Sequence, residues 1–442
     1  MEKMLRTMLV VLLLLALGAP CLGDDWPQWM GPQRDNILRE TGLLEKFPEG
    51  GPKVLWRVPT AGGYAGPAVA DGRVFLHDYV TNGDIRKTSS PVARANLQGK
   101  ERVQCFDART GKLLWKHEYD CPYKISYPAG PRCTPTVQGG KVWTLGAEGD
   151  LCCFDAAQGK LLWSKNLKKE YKVEAPMWGF CSHPLIDGKK LITLAGGDGS
   201  VAIALDKDTG AEIWRALSAR DPGYCPPSII EHGAKRQLII WHSEAINSLD
   251  PETGKLYWEV PLKPSYGMSI AAPQLEGDLL FAGGIGNACA CLKLSTEKPA
   301  AEVLWRGDKE TGVYPANSTP FLEDGTIYAC DCQTGALRGV VLTDGKRLWE
   351  DYAATTGGKK GSHGTAFMVK NGDRFFMLSE TGHLIIARLT PKGYEEISRA
   401  KILEPTGTWS GRDVLWSSPA YANRCCFARN DKELICVSLA AE

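Results

Sequence analysis

The stretch VQCFDARTGKLLW at residues 103–115 decides the fold class, because looser copies of it recur along the chain. The further copies also end in a tryptophan, at Trp163, Trp214, Trp258, Trp305 and Trp349. Successive tryptophans are 44 to 51 residues apart. This period is typical of a four-stranded propeller blade and not of a helical solenoid.

The four clearest copies share an apolar strand, a turn with aspartate and glycine, and a second strand that carries the tryptophan. The glycine supplies the positive φ angle of a tight hairpin, and the aspartate accepts hydrogen bonds from the turn's own N–H groups. The tryptophan is expected to pack between neighbouring blades. The residues with these predicted structural roles are Asp107, Gly111, Trp115, Asp155, Gly159, Trp163, Asp206, Gly210, Trp214, Asp250, Gly254 and Trp258.

A second pattern marks inner hairpins, such as GPAVADGRVFL at residues 66–76. Eight inner hairpins occur, but only seven outer hairpins are complete. The chain ends in a third strand, ELICVSLA at residues 433–440, whereas KVLWRVP at residues 53–59 is a fourth strand with nothing before it. We therefore predict an all-β fold, an eight-bladed β-propeller of four-stranded antiparallel blades, closed by pairing of the N- and C-terminal strands.

The first 23 residues have the pattern of an export signal. Lys3 and Arg6 precede an apolar run at residues 8–17, and a cleavage site is predicted after Gly23. Cys21 directly follows Pro20, which disfavours lipid attachment. We predict a signal peptide at residues 1–23, a lead-in segment at residues 24–52 and one propeller at residues 53–442. The exported chain is expected to be a soluble periplasmic or extracellular monomer, with no transmembrane segment.

The composition sets limits on the partners of the protein. The formal net charge is +1, with 43% hydrophobic and 23% charged residues, which argues against nucleic acid as a partner. One polar stretch, residues 81–102, lengthens the first blade. It is predicted to be a long loop that is either functional or only mobile.

The phrase Asp-x-x-Thr-Gly-x-x-x-Trp, at residues 107–115 and 206–214, resembles the pyrroloquinoline-quinone (PQQ) propeller repeat. That repeat is found in eight-bladed quinoprotein alcohol dehydrogenases and in the propeller lipoprotein of the bacterial outer-membrane β-barrel assembly machinery. The opening segment DWPQWMGPQRDN, residues 25–36, resembles the start of exported bacterial proteins with a PQQ-binding-like propeller. The resemblance covers the chain from about residue 53 onward, and it is specific for the fold rather than for one activity.

The residues just before the inner strands are the candidate binding residues, because in a propeller they face the central channel. They are Tyr64, Arg132, Trp178, Tyr224, Tyr266, Tyr314, His363 and Trp416. Two interpretations stay open: the rings plug the channel mouth and support loops, or they bind a planar or sugar-like ligand or a peptide. Cys133, Cys181 and Cys225 fall near the same rim, and a disulfide between Cys121 and Cys133 is a hypothesis.

The resemblance implies what a quinoprotein enzyme would need: PQQ, a Ca²⁺ bound by Glu, Asn and Asp oxygens, an Asp base and often a disulfide between adjacent cysteines. The adjacent pairs here are Cys152-Cys153 and Cys425-Cys426. Both lie in strand patterns, where neighbouring side chains point to opposite faces, so neither is predicted to form that disulfide.

Other catalytic patterns are weak. The pairs Cys289/Cys291 and Cys330/Cys332 lack second pairs that would complete a metal site, and the seven histidines show no zinc-binding spacing. We therefore predict no catalytic residue, no metal and no cofactor.

Three functions are compatible with these patterns. The first is a non-catalytic exported propeller that binds an envelope protein or a small ligand at one propeller face and acts as a scaffold. The second is an oxidoreductase that depends on PQQ and Ca²⁺. The third is a propeller that binds carbohydrate through its aromatic rim.

Overall fold

The structure is a computed structural model that describes residues 24–233 and 235–441. Its strands form eight four-stranded antiparallel sheets and one two-stranded hairpin. The sheets are the blades of a ring, which confirms the predicted eight-bladed propeller. The predicted signal peptide, residues 1–23, lies outside the described residues.

In each of the first seven blades the four strands are paired in chain order. Blade 1 has β2 (Ala68–Ala70), β3 (Arg73–Thr81), β4 (Gly99–Asp107) and β5 (Leu113–Asp120). Blade 2 has β6 (Thr136–Gln138), β7 (Lys141–Leu145), β8 (Asp150–Asp155) and β9 (Leu161–Asn166). Blade 3 has β10 (Leu185–Asp187), β11 (Lys190–Leu194), β12 (Ala202–Asp206) and β13 (Glu212–Ala216). Blade 4 has β14 (Ser228–His232), β15 (Lys235–Trp241), β16 (Ala245–Leu249) and β17 (Leu256–Pro261).

The next three blades repeat this order. Blade 5 has β18 (Gln274–Glu276), β19 (Leu279–Gly284), β20 (Ala288–Leu294) and β21 (Ala301–Arg306). Blade 6 has β22 (Phe321–Glu323), β23 (Thr326–Cys330), β24 (Leu337–Val341) and β25 (Arg347–Asp351). Blade 7 has β26 (Ala366–Asn371), β27 (Arg374–Ser379), β28 (His383–Thr390) and β29 (Gly393–Lys401).

Blade 8 joins the two ends of the chain. It contains β32 (Ala420–Ala422), β33 (Cys425–Arg429), β34 (Glu433–Ser438) and, as its outer strand, β1 (Val54–Pro59). In the antiparallel pairing of β1 with β34, Trp56 lies opposite Cys436 and Val58 opposite Leu434. The predicted closure by the terminal strands is therefore confirmed.

The aspartate–glycine turns connect the third and fourth strands of the blades. In blade 1, Asp107 Oδ1 accepts hydrogen bonds from Thr110 N at 2.8 Å and Thr110 Oγ1 at 2.6 Å, and Gly111 has a φ of 70°. A register shift follows next to each of these turns, between Cys105 and Phe106 in blade 1. Such a bulge increases the twist of the outer strand and makes its free edge a poor template for another chain.

In five blades the tryptophan of the outer strand packs on the glycine turn of the next blade. The indole of Trp115 in blade 1 covers Gly159 of blade 2, and its Nε1 donates to the Ala156 carbonyl at 3.0 Å. The same ring-on-glycine contact is made by Trp56 on Gly111, Trp163 on Gly210, Trp214 on Gly254 and Trp305 on Gly345. An indole has a large apolar surface and one N–H donor that needs a partner when it is buried. The contact buries the ring and gives Nε1 a carbonyl acceptor.

Trp258 departs from this pattern. Its Nε1 donates to Gln237 Oε1 of its own blade at 2.9 Å. Blade 5 lacks a glycine in the corresponding turn, whose sequence is STEKPA at residues 295–300. The contact therefore changes where the repeat sequence degenerates.

The segment before β1 lies against the innermost strands of several blades and forms backbone hydrogen bonds with them. The N–H groups of Trp26 and Val69 each donate to the other's carbonyl at 2.8 Å, and Val137 N donates to the Pro27 carbonyl at 2.8 Å. Farther along, Leu38 N donates to the Lys370 carbonyl at 2.8 Å. We call residues 26–38 the floor segment.

Four shorter elements lie between blades or strands. They are α1 (Ile85–Thr88), α2 (Leu167–Tyr171), the 3₁₀ turn Ser265–Gly267 and the hairpin of β30 (Gly407–Trp409) with β31 (Arg412–Val414). The long loop of blade 1 is shorter than predicted, covering residues 82–98, because β3 and β4 continue to nine residues each. No helix among the described residues is long and apolar enough to cross a membrane.

A pair of glycine substitutions isolates the tryptophan contact. Gly210 (φ 74°) and Gly188 (φ 59°) both have positive φ angles, but a Cβ at Gly210 would lie 2.9 Å from the Trp163 ring, whereas Gly188 faces open space. We expect Gly188→Ala to lose about 1–2 kcal/mol from backbone strain alone. Gly210→Ala is expected to lose about 1–3 kcal/mol more because the indole is displaced.

The measurement is the urea midpoint of unfolding for the wild type and both variants. Equal losses for the two variants would mean that the indole contact contributes nothing to stability.

Candidate functional site

A cavity among the described residues lies at the centre of the ring of blades and has a volume of about 570 Å³. Its position follows from its lining, to which the segments preceding all eight blades contribute. This volume is typical of a site that encloses a small organic molecule. We call the open end, formed by the residues that precede the inner strands, the mouth.

Seven of the eight predicted rim residues line this cavity. They are Tyr64, Arg132, Trp178, Tyr224, Tyr266, His363 and Trp416. The structure therefore brings together residues that are up to about 350 positions apart in the chain.

Tyr314 corrects the prediction for blade 6. It is fully buried behind the wall, and its hydroxyl donates to the carbonyls of Asp308 and Thr311. Blade 6 instead presents Asn317 and Ser318 to the cavity. Distance from the inner strand does not account for this difference, because Trp178 lies seven residues before β10, as Tyr314 does before β22.

Several lining residues were not predicted. Trp29 and Met30 come from the floor segment, Tyr127 from the connection between blades 1 and 2, and Trp409 from the hairpin between blades 7 and 8. None of them lies in a repeat, so the periodicity of the sequence could not predict that they line the cavity. The one signal in the sequence was the aromatic content of the opening segment, residues 25–36.

The floor segment closes the cavity at one end. The ring of Trp29 stacks on His183 with centroids 4.8 Å apart and an interplanar angle of 8°. The Arg34 guanidinium lies 5.2 Å from the centroid of the Trp29 ring. Nη1 and Nη2 of Arg34 donate to the carbonyls of Pro184 at 3.1 Å and Pro227 at 3.2 Å, so they tie the segment to blades 3 and 4. A ligand would therefore enter only from the mouth.

Two groups of rings form the walls. On one side Trp178 and Tyr224 meet edge to face at 5.6 Å between centroids. On the other side His363 meets Trp409 edge to face at 4.4 Å, and Trp409 lies 5.9 Å from Trp416. The remaining apolar lining includes Met177, Met268 and Met368. Methionine and aromatic side chains together favour contact with another flat ring.

Two segments partly cover the mouth. The loop at residues 82–98 reaches the cavity with Pro91 and Val92, and its Arg94 donates to the Ala175 carbonyl at 2.9 Å. Arg86 of the same loop pairs with Asp413 of the β30–β31 hairpin at 2.6 Å. This ion pair is exposed, so it contributes little to stability.

Charge in the lining is limited to one cation. Arg132 is the only Asp, Glu, Lys or Arg among the described residues that line the cavity. Its guanidinium lies 5.1 Å from the centroid of the Tyr64 ring and donates to the carbonyls of Ser126, Tyr127 and Gly130.

The histidines of the lining are neutral. Burial, together with the charge of the neighbouring Arg412, lowers the pKa of His363 to about 4. Burial, with the charge of Arg34, also holds the pKa of His183 well below its usual range. Burial raises the pKa of the Cys181 thiol to about 11, so this lining cysteine is a thiol near neutral pH. The lining thus has no group poised to exchange a proton near pH 7.

The lining does not fit a calcium–PQQ centre. Ca²⁺ is bound by six to eight oxygens that normally include carboxylates. The described lining residues include no carboxylate that could bind the ion or serve as a base. Glu380 contacts the lining residue Trp416 but is not itself part of the lining, and it accepts bonds from Arg412 Nε at 2.7 Å and Trp416 Nε1 at 3.3 Å.

The cysteines add no metal or redox centre to the described part of the chain. Cys152 and Cys153 lie in β8, and Cys425 and Cys426 in β33, as strand patterns predicted. All described cysteines are free thiols, so the hypothetical Cys121–Cys133 bridge is not formed. Of the three predicted rim cysteines, Cys133, Cys181 and Cys225, only Cys181 reaches the cavity.

One cluster outside the cavity has the composition of a metal site, formed by Glu101, Cys121 and Asp150. The oxygens of Glu101 already accept bonds from Tyr123 at 2.6 Å, Tyr119 at 2.5 Å and the Ala147 N–H at 2.8 Å. Because its oxygens are occupied by protein donors, the cluster is a buried polar network between blades 1 and 2.

The neutral state of His363 predicts a pH dependence of stability. Its pKa is about 4 in the folded chain against 6.5 for an unperturbed histidine, so between these values only the unfolded chain takes up the proton. This contribution is present above pH 6.5 and is lost as the pH falls to about 4, by up to about 3 kcal/mol. We expect His363→Asn, which keeps a residue tolerant of the φ of 60°, to flatten the loss of stability over this range.

The measurement is the urea midpoint of both proteins at several pH values from about 4 to about 7, the range that brackets the two pKa values. If the urea midpoints of the two proteins changed in parallel with pH, the imidazole of His363 would not be held neutral in the folded chain.

Known proteins share the repeat sequence and the ring of blades. The family model described as outer membrane protein assembly factor BamB matches residues 99–233 and 242–442. No curated protein matches the chain.

Solved structures share the fold. BamB from Moraxella catarrhalis superposes with a TM-score of 0.57 at 14% identity, over 88% of this chain and 98% of that chain. Quinohemoprotein alcohol dehydrogenase from Comamonas testosteroni superposes with a TM-score of 0.60 at 14% identity, over 95% of this chain and 81% of that chain. At these identities the likeness shows the fold alone. The family model, by contrast, covers more than half of the chain, and the protein therefore belongs to the family of the outer membrane protein assembly factor BamB.

Proposed function

We propose that this protein is an exported, non-catalytic propeller that binds a protein partner in the bacterial cell envelope and acts there as a scaffold. The proposal includes a signal peptide at residues 1–23, a lead-in segment at residues 24–52 and a monomeric propeller at residues 53–442. The binding surface is the mouth, with Tyr64, Arg132, Trp178, Tyr224, Tyr266, His363 and Trp416 around it. Tyr314 supports this wall from behind.

The observation that carries the proposal is the exposed apolar rim. Tyr266 is 77% exposed and Val92 is 76% exposed, more than any other large apolar residue among those described. Both border the cavity. Exposed aromatic and aliphatic side chains around a concave, apolar centre are typical of a protein-binding surface.

Tyr266 has a second unusual property. It adopts a φ of 60°, in the left-handed region, within the 3₁₀ turn Ser265–Gly267. A bulky residue in this conformation costs stability, and such strain is most often found where a side chain is held for a function.

The electrostatics of the lining support binding rather than catalysis. A PQQ-dependent oxidoreductase, the second candidate, needs carboxylates for Ca²⁺ and for a base, and the described lining supplies none. A carbohydrate-binding propeller, the third candidate, would need several convergent polar side chains beside its rings. The family membership supports work in the envelope, since the relative from Moraxella catarrhalis is named as BamB.

Affinity capture from an envelope fraction tests the proposal through the mouth itself. The bait proteins are the wild type and a double variant, Val92→Ser with Tyr266→Asn, in which Asn tolerates the positive φ. The matched control is Leu114→Ser with Leu304→Ser, which removes two apolar residues of 45% and 44% exposure from the outer strands of blades 1 and 5. We expect one envelope protein to be recovered with the wild type and the control, and about tenfold less of it with the mouth variant.

Equal recovery by the mouth variant, or no specific protein with the wild type, would contradict a scaffold that works through this surface. The enzymatic alternative has its own test, because PQQ and Ca²⁺ can be added to the purified protein. We expect no quinone absorbance to be retained after gel filtration and no dye-linked oxidation of alcohols. If the protein retained a stoichiometric quinone, the oxidoreductase would become the preferred function instead of the scaffold. Binding on a glycan array would favour the carbohydrate-binding function.

A further inference from the structure

Three arginines surround the cavity, and none of them pairs with a carboxylate of the described residues. Arg132 lies in the lining. Arg34 belongs to the floor segment and lies against the ring of Trp29. Arg429 lies behind Tyr64 and Trp416, with which it lines a small hollow of about 20 Å³.

The hydrogen bonds of these arginines go mainly to backbone carbonyls, which do not neutralise their charge. Arg34 donates to the carbonyls of Pro184 and Pro227, and Arg132 to three carbonyls of the turn before β6. Arg429 is 0% exposed, with Nε donating to the Asn430 carbonyl at 2.9 Å and Nη2 to the Ala61 carbonyl. Its Nη1 is buried with no partner among the described residues.

Nearby acidic groups offset only part of this charge. Glu380 is paired with Arg412. Asp431 shares the hollow with Arg429 and offsets part of its charge, while its two oxygens accept bonds from Gly63 N at 3.1 Å and Thr406 Oγ1 at 2.8 Å. A buried charge is costly unless a counter-charge accompanies it. Arg132 is therefore the one charged side chain in the described lining, and no carboxylate of that lining accompanies it.

The aromatic walls of the cavity determine which ligand framework fits between them. Trp178 with Tyr224, and Trp409 with Trp416, present ring faces and edges on opposite sides of an apolar space closed below by Trp29. A flat aromatic ring packs well against such surfaces. One polar group of the wall can still form a hydrogen bond with a ligand, because the Ser318 hydroxyl is buried without a partner among the described residues.

We propose that the cavity binds an aromatic monoanion, a small molecule with a flat ring system and one carboxylate, without a metal ion. The ring lies between the two aromatic walls, and the carboxylate faces the side of the cavity that carries Arg132. This goes beyond the scaffold function, because the ligand is a small molecule inside the cavity and not a protein on the mouth. The three guanidinium groups disfavour cationic rings, and a neutral sugar forms no ion pair with them.

The test uses three probes with the same ring: pyrene-1-carboxylate, pyrene-1-carboxamide and 1-pyrenemethylammonium. Binding to the full-length mature protein is measured by calorimetry and by pyrene fluorescence. We expect the carboxylate to bind about tenfold or more tightly than the amide, and the ammonium to bind most weakly.

The matched variants are Asn317→Asp and Asn423→Asp, which change the net charge equally and are isosteric. Asn317 lines the cavity and donates to Thr365 Oγ1 at 3.1 Å, whereas Asn423 is exposed in the β32–β33 turn. We expect Asn317→Asp to abolish the preference for the carboxylate while amide binding is kept. Asn423→Asp should behave as the wild type, and thermal unfolding checks that both variants fold.

The proposal is overturned if the amide binds as tightly as the carboxylate, if the ammonium is preferred, or if no probe binds. It is also overturned if Asn317→Asp keeps the wild-type preference, because the anion would then bind elsewhere. None of these results depends on whether an envelope partner is captured at the mouth, so the two proposals fail separately.

Discussion

The contact between an indole ring and the glycine turn of the next blade is the constraint on which the rest of the structure depends. It requires a glycine for two independent reasons, the positive φ of the turn and the space taken by the ring. It also requires a carbonyl in reach of Nε1, as Ala156 is for Trp115. The contact is made by five tryptophans, so it joins five of the eight pairs of neighbouring blades. The blades that it joins carry the segments that line the cavity.

The parts of the structure that could be predicted from the sequence are those that repeat. The turn of Asp107 and Gly111 has a local cause, since the hydrogen bonds and the φ angle are formed within five residues. The closure of the ring could also be predicted, because the first strand is a lone fourth strand and the last strand is a third strand, and together they complete one blade. Seven cavity residues could be placed because each lies in the segment that precedes an inner strand.

The parts that were missed have no period. Trp29 and Arg34 bind blades 3 and 4 from a segment that precedes every repeat, so only the folded chain brings them together. Tyr314 was misplaced because its ring is buried behind the wall, where its hydroxyl donates to the carbonyls of Asp308 and Thr311. The charge balance of the cavity is likewise invisible in the sequence, since it depends on which carboxylates are already paired, as Glu380 is with Arg412.

The floor segment and β1 have a consequence for how the chain is made. Both precede all the blades in synthesis, yet β1 pairs with β34 and the floor segment bonds to Lys370 of blade 7, which are among the last residues to emerge. Until then Trp26 lacks its contact with Tyr421 and Trp56 lacks its contact with Phe427, although both already meet blade 1. Contacts of such long sequence separation form slowly. A protein of this design therefore spends its assembly time with its first strand unpaired, and the interval before the last blade arrives is when it most needs protection from aggregation.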